Sequence, residues 1–221
     1  MSNKVTDIRR REAAIQSLRP RPAFNARPVC AAGRESRSTE GPYATHYTST
    51  ASYLYINRLS GNDRFGKVPD GYVDRGDLLV SGRCHPQQKM VSRFLAGDAL
   101  WREADEAAAL EGPQAVSATH IVIDLPFEAP AERWVWLVEN YAYRYLVDRG
   151  MIVDWAIHTR MDGDGAWISP PHAHLLATAR FWRPGGRSGS RQRCWLANAD
   201  QIRTAEDAWL QTLKVHHSVS A

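Results

Sequence analysis

The sequence predicts an α/β fold of the α+β type, a partly antiparallel sheet with helices against it. Three observations carry this. Stretches of period two at residues 120–125, 151–158 and 172–180 alternate with stretches of helical spacing, joined by short returns. The chain has 221 residues, with eight Trp, eight Tyr and five Phe to fill a core. No run of 18 apolar residues exists, so no membrane segment is expected.

From the N-terminus, Thr6 caps an expected short helix over residues 7–18. Pro20, Pro22 and Pro28 end it, and a Ser/Gly/Arg-rich stretch follows, so residues 1–42 read as a basic, disordered arm. This arm carries nine Lys/Arg against four Asp/Glu in a chain of net charge +4. It suits nucleic-acid phosphates or a solvated tail. The main domain is expected over residues 43–215, with 216–221 as a tail. Residues 43–47 read as a strand, and Ser49 as the cap of a helical turn through Arg58. Residues 59–87, rich in Gly, Asp, Pro and Arg, read as a long loop with room for a hairpin.

Residues 90–110 read as a helix with Val91, Phe94, Leu95, Leu100 and Trp101 on its apolar face, closed by Gly112-Pro113. In the strand 120–125, Ile121, Ile123 and Leu125 share the core face. Pro130 opens the next helix, with Glu132 in its first turn and Trp134, Leu137, Val138 and Tyr141 at helical spacing; Gly150 lies past its end. Two strands follow, then a Gly/Ser/Arg-rich loop at 183–193. A last helix over 200–213 buries Trp209 and Leu213. The three cysteines are scattered without a C-x-x-C pair, which fits a reducing cytoplasm rather than a disulfide framework.

The chemistry-bearing pattern is His172-Ala173-His174. On a strand, residues two apart point to one face, so both imidazoles can share an ion. His158 ends the preceding strand, and the connection holds Asp162-Gly163-Asp164-Gly165 and Pro170-Pro171. A hairpin there sets His158 beside the pair. Three imidazoles on one rigid face leave coordination positions open, as a catalytic metal site requires. His46, His85, His120, His216 and His217 lack such support.

Ala156-Ile157-His158 followed by Pro171-His172-Ala173-His174 and Thr178-Ala179-Arg180 resembles the MobA/MobL family of plasmid mobilisation relaxases. The similarity runs over roughly residues 43–213. It implies the HUH-endonuclease fold, a central antiparallel sheet flanked by helices. It also implies single-strand nicking and joining at a transfer origin through a 5′-phosphotyrosyl intermediate. Ala51-Ser-Tyr53-Leu-Tyr55-Ile-Asn-Arg58 matches the family's tyrosine segment, with Tyr55 at the nucleophile's place and Tyr53 as the second candidate. Arg75-Gly-Asp-Leu-Leu-Val-Ser-Gly82 is similar to a family loop.

The resemblance thus implies Mg²⁺ or Mn²⁺ on His158, His172 and His174. Single-stranded DNA would be contacted by Arg58, Lys67 and Arg75, in the cytoplasm, with accessory mobilisation proteins as further candidate partners. The pattern departs where members commonly carry glutamate: His120 and Val122 stand there, leaving Asp124 as the acid on that face. A catalytically weak DNA-binding derivative and an unrelated three-histidine metal hydrolase are the alternative readings.

Overall fold

A computed structural model of the chain describes residues 24–30, 46–73, 75–86, 96–112, 114–182 and 188–219. Five strands form one antiparallel sheet: β1 (Phe24–Cys30), β4 (Leu78–Cys84), β5 (Val116–Asp124), β6 (Val153–Met161) and β7 (Trp167–Thr178). Their spatial order is β1-β5-β7-β6-β4, so β1 and β4 are the edges. Two small ladders stand apart: β2 (Asn62–Asp63) with β3 (Gly66–Lys67), and β8 (Arg180–Trp182) with β9 (Ser188–Arg191). The helices are α1 (Ser49–Ile56), α2 (Ala99–Ala109), α3 (Ala131–Tyr141) and α4 (Ala199–Val219). This is the expected α+β architecture.

The two sheet faces follow from the register. Residues directly opposite in an antiparallel pair share a face. Ile121 pairs with Leu175 and Ile123 with Ala173, and these pack against Trp134, Leu137 and Tyr141 of α3 and Trp209 and Leu213 of α4. On the other face Ala118, Ala156 and Leu176 pack against Ile56 of α1 and Leu100, Trp101 and Ala104 of α2. The histidines belong to this second face.

Helix α1 is held at both ends. Its cap is Thr48, whose hydroxyl accepts from Ala51 N at 3.0 Å, one residue before the expected Ser49. The buried Asp105 of α2 accepts from Ser49 N at 3.0 Å, Thr50 N at 2.9 Å and the Thr50 hydroxyl at 2.8 Å. These donors are free because the first turn of a helix has no internal acceptors for them. At the other end the chain leaves through Arg58, a non-glycine residue at φ 54°.

The two edge strands differ from the sequence expectation. Residues 24–30 fall within the expected arm, yet they pair with β5 from Phe24↔Ile123 to Cys30↔Val116. Pro28, read as a breaker, is tolerated because an edge strand has one side without ladder partners. Leu78–Cys84 fell inside the expected loop, yet pairs with β6. Its Gly82 reads as a turn residue, but a Cβ there would meet Trp155 Cζ2 at 2.7 Å, so the glycine makes room for the indole. The remaining loop does hold a hairpin, β2–β3.

Of the expected strand at 43–47, residues 43–45 lie outside the described residues, and His46 and Tyr47 are not in a strand. The helix at 7–18 and the first part of that at 90–110 also lie outside. Helix α3 starts after Pro130 and continues through a π-turn to Gly150, which adopts φ 100° against Phe181. Helix α4 runs to Val219, taking in His216 and His217 of the expected tail. No helix among the described residues is long and apolar enough to cross a membrane.

Candidate active site

The register of β6 and β7 brings the three histidines together. His158 pairs directly with His172, and Ala156 with His174, so all three side chains share the α1 face. Their ring centroids are 4.7 to 5.5 Å apart. One nitrogen from each lies within 4.8 Å of the others. One ion with bonds of about 2.1 Å holds two nitrogens at most about 4.2 Å apart, so the rings stand slightly wider than a bound ion requires at their outer limit.

Each ring has a different hydrogen-bond environment. His172 Nδ1–H donates to Pro170 O at 2.8 Å, which leaves the Nε2 lone pair available. His174 Nδ1 lies 2.9 Å from His120 Nε2, and its own Nε2 is buried with no hydrogen-bond partner among the described residues. Such an orphaned buried nitrogen is costly unless something fills the place beside it. His158 Nε2–H donates to Ile56 O at 2.7 Å, while its Nδ1 accepts from Arg58 Nη2 at 2.8 Å. His172 therefore fits a metal directly; His158 fits once Arg58 yields its lone pair, and His174 fits when its Nε2 is free of a proton.

Burial keeps His158, His120 and His174 neutral. It pushes His158 down to about 4, with the Ile56 carbonyl opposing and Arg58 adding to the fall. His120 drops to about 3, through burial and then Arg27. His174 is well below its usual range, through burial and then the other histidines. A neutral imidazole is the ligand form a cation needs.

Tyr55 of α1 faces this cluster. Its ring meets His174 edge-on at 5.6 Å between centroids, and Tyr72 at 5.2 Å. Arg75 Nη1 donates to the Tyr55 hydroxyl at 3.2 Å. Arg58 lies 4.5 Å from the ring centroid. Tyr53 sits instead beside Arg83, which chelates the buried Asp154 at 2.6 Å through both Nε and Nη2. Burial, then the Asp154 charge, raises the Tyr53 phenol.

The three cations expected at DNA occupy unlike places. Arg75 is exposed at the phenol, and Lys67 is exposed and paired with Asp70 at 2.6 Å. Arg58 is buried, donating to Asp77 at 2.6 and 2.9 Å and to Tyr55 O at 2.6 Å. Burial would raise the Asp77 carboxyl, but the Arg58 hydrogen bonds and charge outweigh it and hold it low. The left-handed turn at the end of α1 turns this arginine inward.

Sequence reasoning gives Arg27 and Asp77 no site role and notes His120 only as a departure from the family pattern. His120 had a legible signal: it alternates with the core-facing Ile121 and Ile123, so it must lie on the opposite face, with the other histidines. Asp124 is the cross-strand partner of His172 on that same face.

Comparison with known proteins bears on the family and the fold. The MobA/MobL family model matches residues 47–218. The chain is 24% identical over 140 residues to the conjugal transfer protein TraA of Agrobacterium fabrum (strain C58), covering 55% of this chain and 12% of that protein. It is 31% identical over 85 residues to the probable conjugal transfer protein TraA of Sinorhizobium fredii, covering 38% and 7%. The matched stretches thus span a small fraction of these relatives. A solved structure from work on the molecular basis of vancomycin resistance transfer in Staphylococcus aureus shares the fold. Its TM-score is 0.68 at 20% identity, over 90% of this chain and 94% of that one. With the match spanning nearly the whole domain, this chain belongs to the MobA/MobL family.

Proposed function

We propose that this domain is a DNA relaxase, which nicks and rejoins one strand at a transfer origin through Tyr55. The observation that carries this reading is the edge-on approach of Tyr55 to His174, with Arg75 on the phenol oxygen. A divalent ion, Mg²⁺ or Mn²⁺, held by His158, His172 and His174 would grip the scissile phosphate and offset the charge that builds on it.

Because Arg75 donates to the Tyr55 oxygen, the phenol's own proton is left free to depart toward solvent or a base. The Tyr55 oxygen then bonds to phosphorus as the bond to the 3′ oxygen breaks, and that oxygen takes up a proton. One phosphodiester replaces another, so the reverse reaction rejoins the strand. Arg75, exposed at the phenol, and Lys67, exposed on β3, can pair with backbone phosphates. Arg58 instead props the tyrosine from below. Single-stranded DNA at the origin is the expected partner, in the cytoplasm, with accessory mobilisation proteins beside it.

The test is incubation of a labelled origin-type oligonucleotide with the protein and Mn²⁺, followed by a denaturing gel. A labelled band at protein mass is expected. A folded, Mn²⁺-loaded protein that forms no adduct with any related origin would refute the nuclease reading. A second reading, a DNA-binding derivative with weak catalysis, draws on the Arg58 contact that occupies the His158 lone pair. It expects salt-sensitive binding without an adduct. The unrelated-hydrolase alternative gives Tyr55 no task, and the closeness of Tyr55 to His174 weighs against it.

A further inference from the structure

We infer that Arg27 and His120 form a hydrogen-bond relay that sets which nitrogen of His174 carries its proton, and so opposes metal binding at His174. The relay starts on β1. Arg27 pairs with His120 in register, and Arg27 Nη2 lies 3.3 Å from His120 Nδ1. His120 Nε2 lies 2.9 Å from His174 Nδ1.

A guanidinium only donates, and a neutral imidazole has one donor and one acceptor. The direction of every bond is then fixed. Arg27 donates to His120 Nδ1, His120 donates through Nε2 to His174 Nδ1, and His174 carries its proton on Nε2. That Nε2 is the buried atom without a partner among the described residues. An ion needs a lone pair there, so the proton must move to Nδ1, the His120–His174 bond must reverse and the Arg27–His120 bond must break. His120 would then carry its proton on Nδ1, facing Arg27 donor against donor. His120 is 1% exposed and cannot turn away. Arg27 is exposed on the edge strand and can. Metal uptake is thereby coupled to release of Arg27.

A carboxylate at position 120 would remove the conflict. It accepts from Arg27 and from His174 Nδ1–H alike, the arrangement that orients a metal-binding histidine. His120 and Arg27 are positioning residues: neither is a ligand.

The inference rests on the three-histidine metal reading, and the experiment separates the two. Nitrogen-15 correlation spectra of the metal-free chain report the His174 tautomer. Wild type is expected to show Nε2–H, and His120→Glu to show Nδ1–H. Mn²⁺ alone is then titrated, with free ion counted by electron paramagnetic resonance. Arg27→Met is expected to bind about threefold to tenfold more tightly than wild type, and His120→Glu at least as tightly as Arg27→Met. Arg27→Met alters only an exposed side chain, so it guards against a folding defect in the other variant. A metal-free wild type with Nδ1–H on His174, or equal affinities in all three chains, overturns the relay alone. Absence of Mn²⁺ uptake in all three overturns the metal reading, and the coupling with it.

Discussion

Arg58 Nη2 stands 2.8 Å from His158 Nδ1, so a permanent cation already occupies the lone pair that His158 would offer an ion. The same guanidinium holds Asp77 through two hydrogen bonds. Arg58→Met should therefore act in two directions. It leaves a shielded carboxylate unpaired, lowering stability of the metal-free chain by about 3 kcal/mol. It also frees His158, so Mn²⁺ should raise the melting temperature of the variant by more than that of wild type. Thermal unfolding with EDTA and with Mn²⁺ reads both effects, and equal Mn²⁺ shifts would argue against competition at His158.

Tyr55 and Tyr53 lie on different sides of α1, one toward His174 and one beside Arg83. Tyr55→Phe should abolish the covalent DNA adduct, and Tyr53→Phe should keep it. Arg75→Ala, which removes the donor on the phenol oxygen, should slow adduct formation about tenfold. Single-turnover gel assays measure all three. An adduct persisting in Tyr55→Phe would transfer the role to Tyr53.

Acid should unfold the metal-free domain early. His158 and His120 titrate near 4 and near 3 in the folded chain, against about 6.5 when unfolded. Between those values the unfolded chain binds more protons, so stability is complete above about 6.5 and falls as pH drops. The slope is about 1.4 kcal/mol per pH unit for each ring. Urea midpoints at pH 7, 6 and 5 in EDTA should fall steadily, and His120→Gln should lessen the slope. A midpoint unchanged from pH 7 to 5 would contradict the assignment.

Gly82→Ala puts a methyl group 2.7 Å from Trp155 Cζ2 in the middle of β4. Overpacking of this kind costs about 1–3 kcal/mol. The loss should appear in the urea midpoint, and Trp155→Leu in the same chain should recover part of it. Additive losses in the double variant would mean that the indole does not set the requirement for glycine.

The sequence disclosed the centre of this fold better than its edges. Strands β5, β6 and β7 are covered on both faces, so apolar residues crowd their sequences, and the His172/His174 spacing shows through them. Strands β1 and β4 are edges: β1 tolerates Pro28 on its unpaired side, and β4 carries Gly82 to clear Trp155, so both hold residues that read as breaks. Arg58 was legible as part of the tyrosine segment but not as a buried residue, since its inward course depends on one left-handed backbone angle. His120 was visible as a departure from the family pattern; its bond to His174 required the register of β5 on β7.

The anchoring of α1 has a consequence for turnover. With Asp105 pinning the start of the helix and Arg58 its exit, the phenol sits on a fixed post rather than a swinging arm. On the proposed chemistry, a cleaved strand stays tethered at the spot where it was cut. Whether the reaction runs toward opening or sealing is then decided by which nucleic-acid end next drifts to the phenol, and the protein need not reset itself between the two.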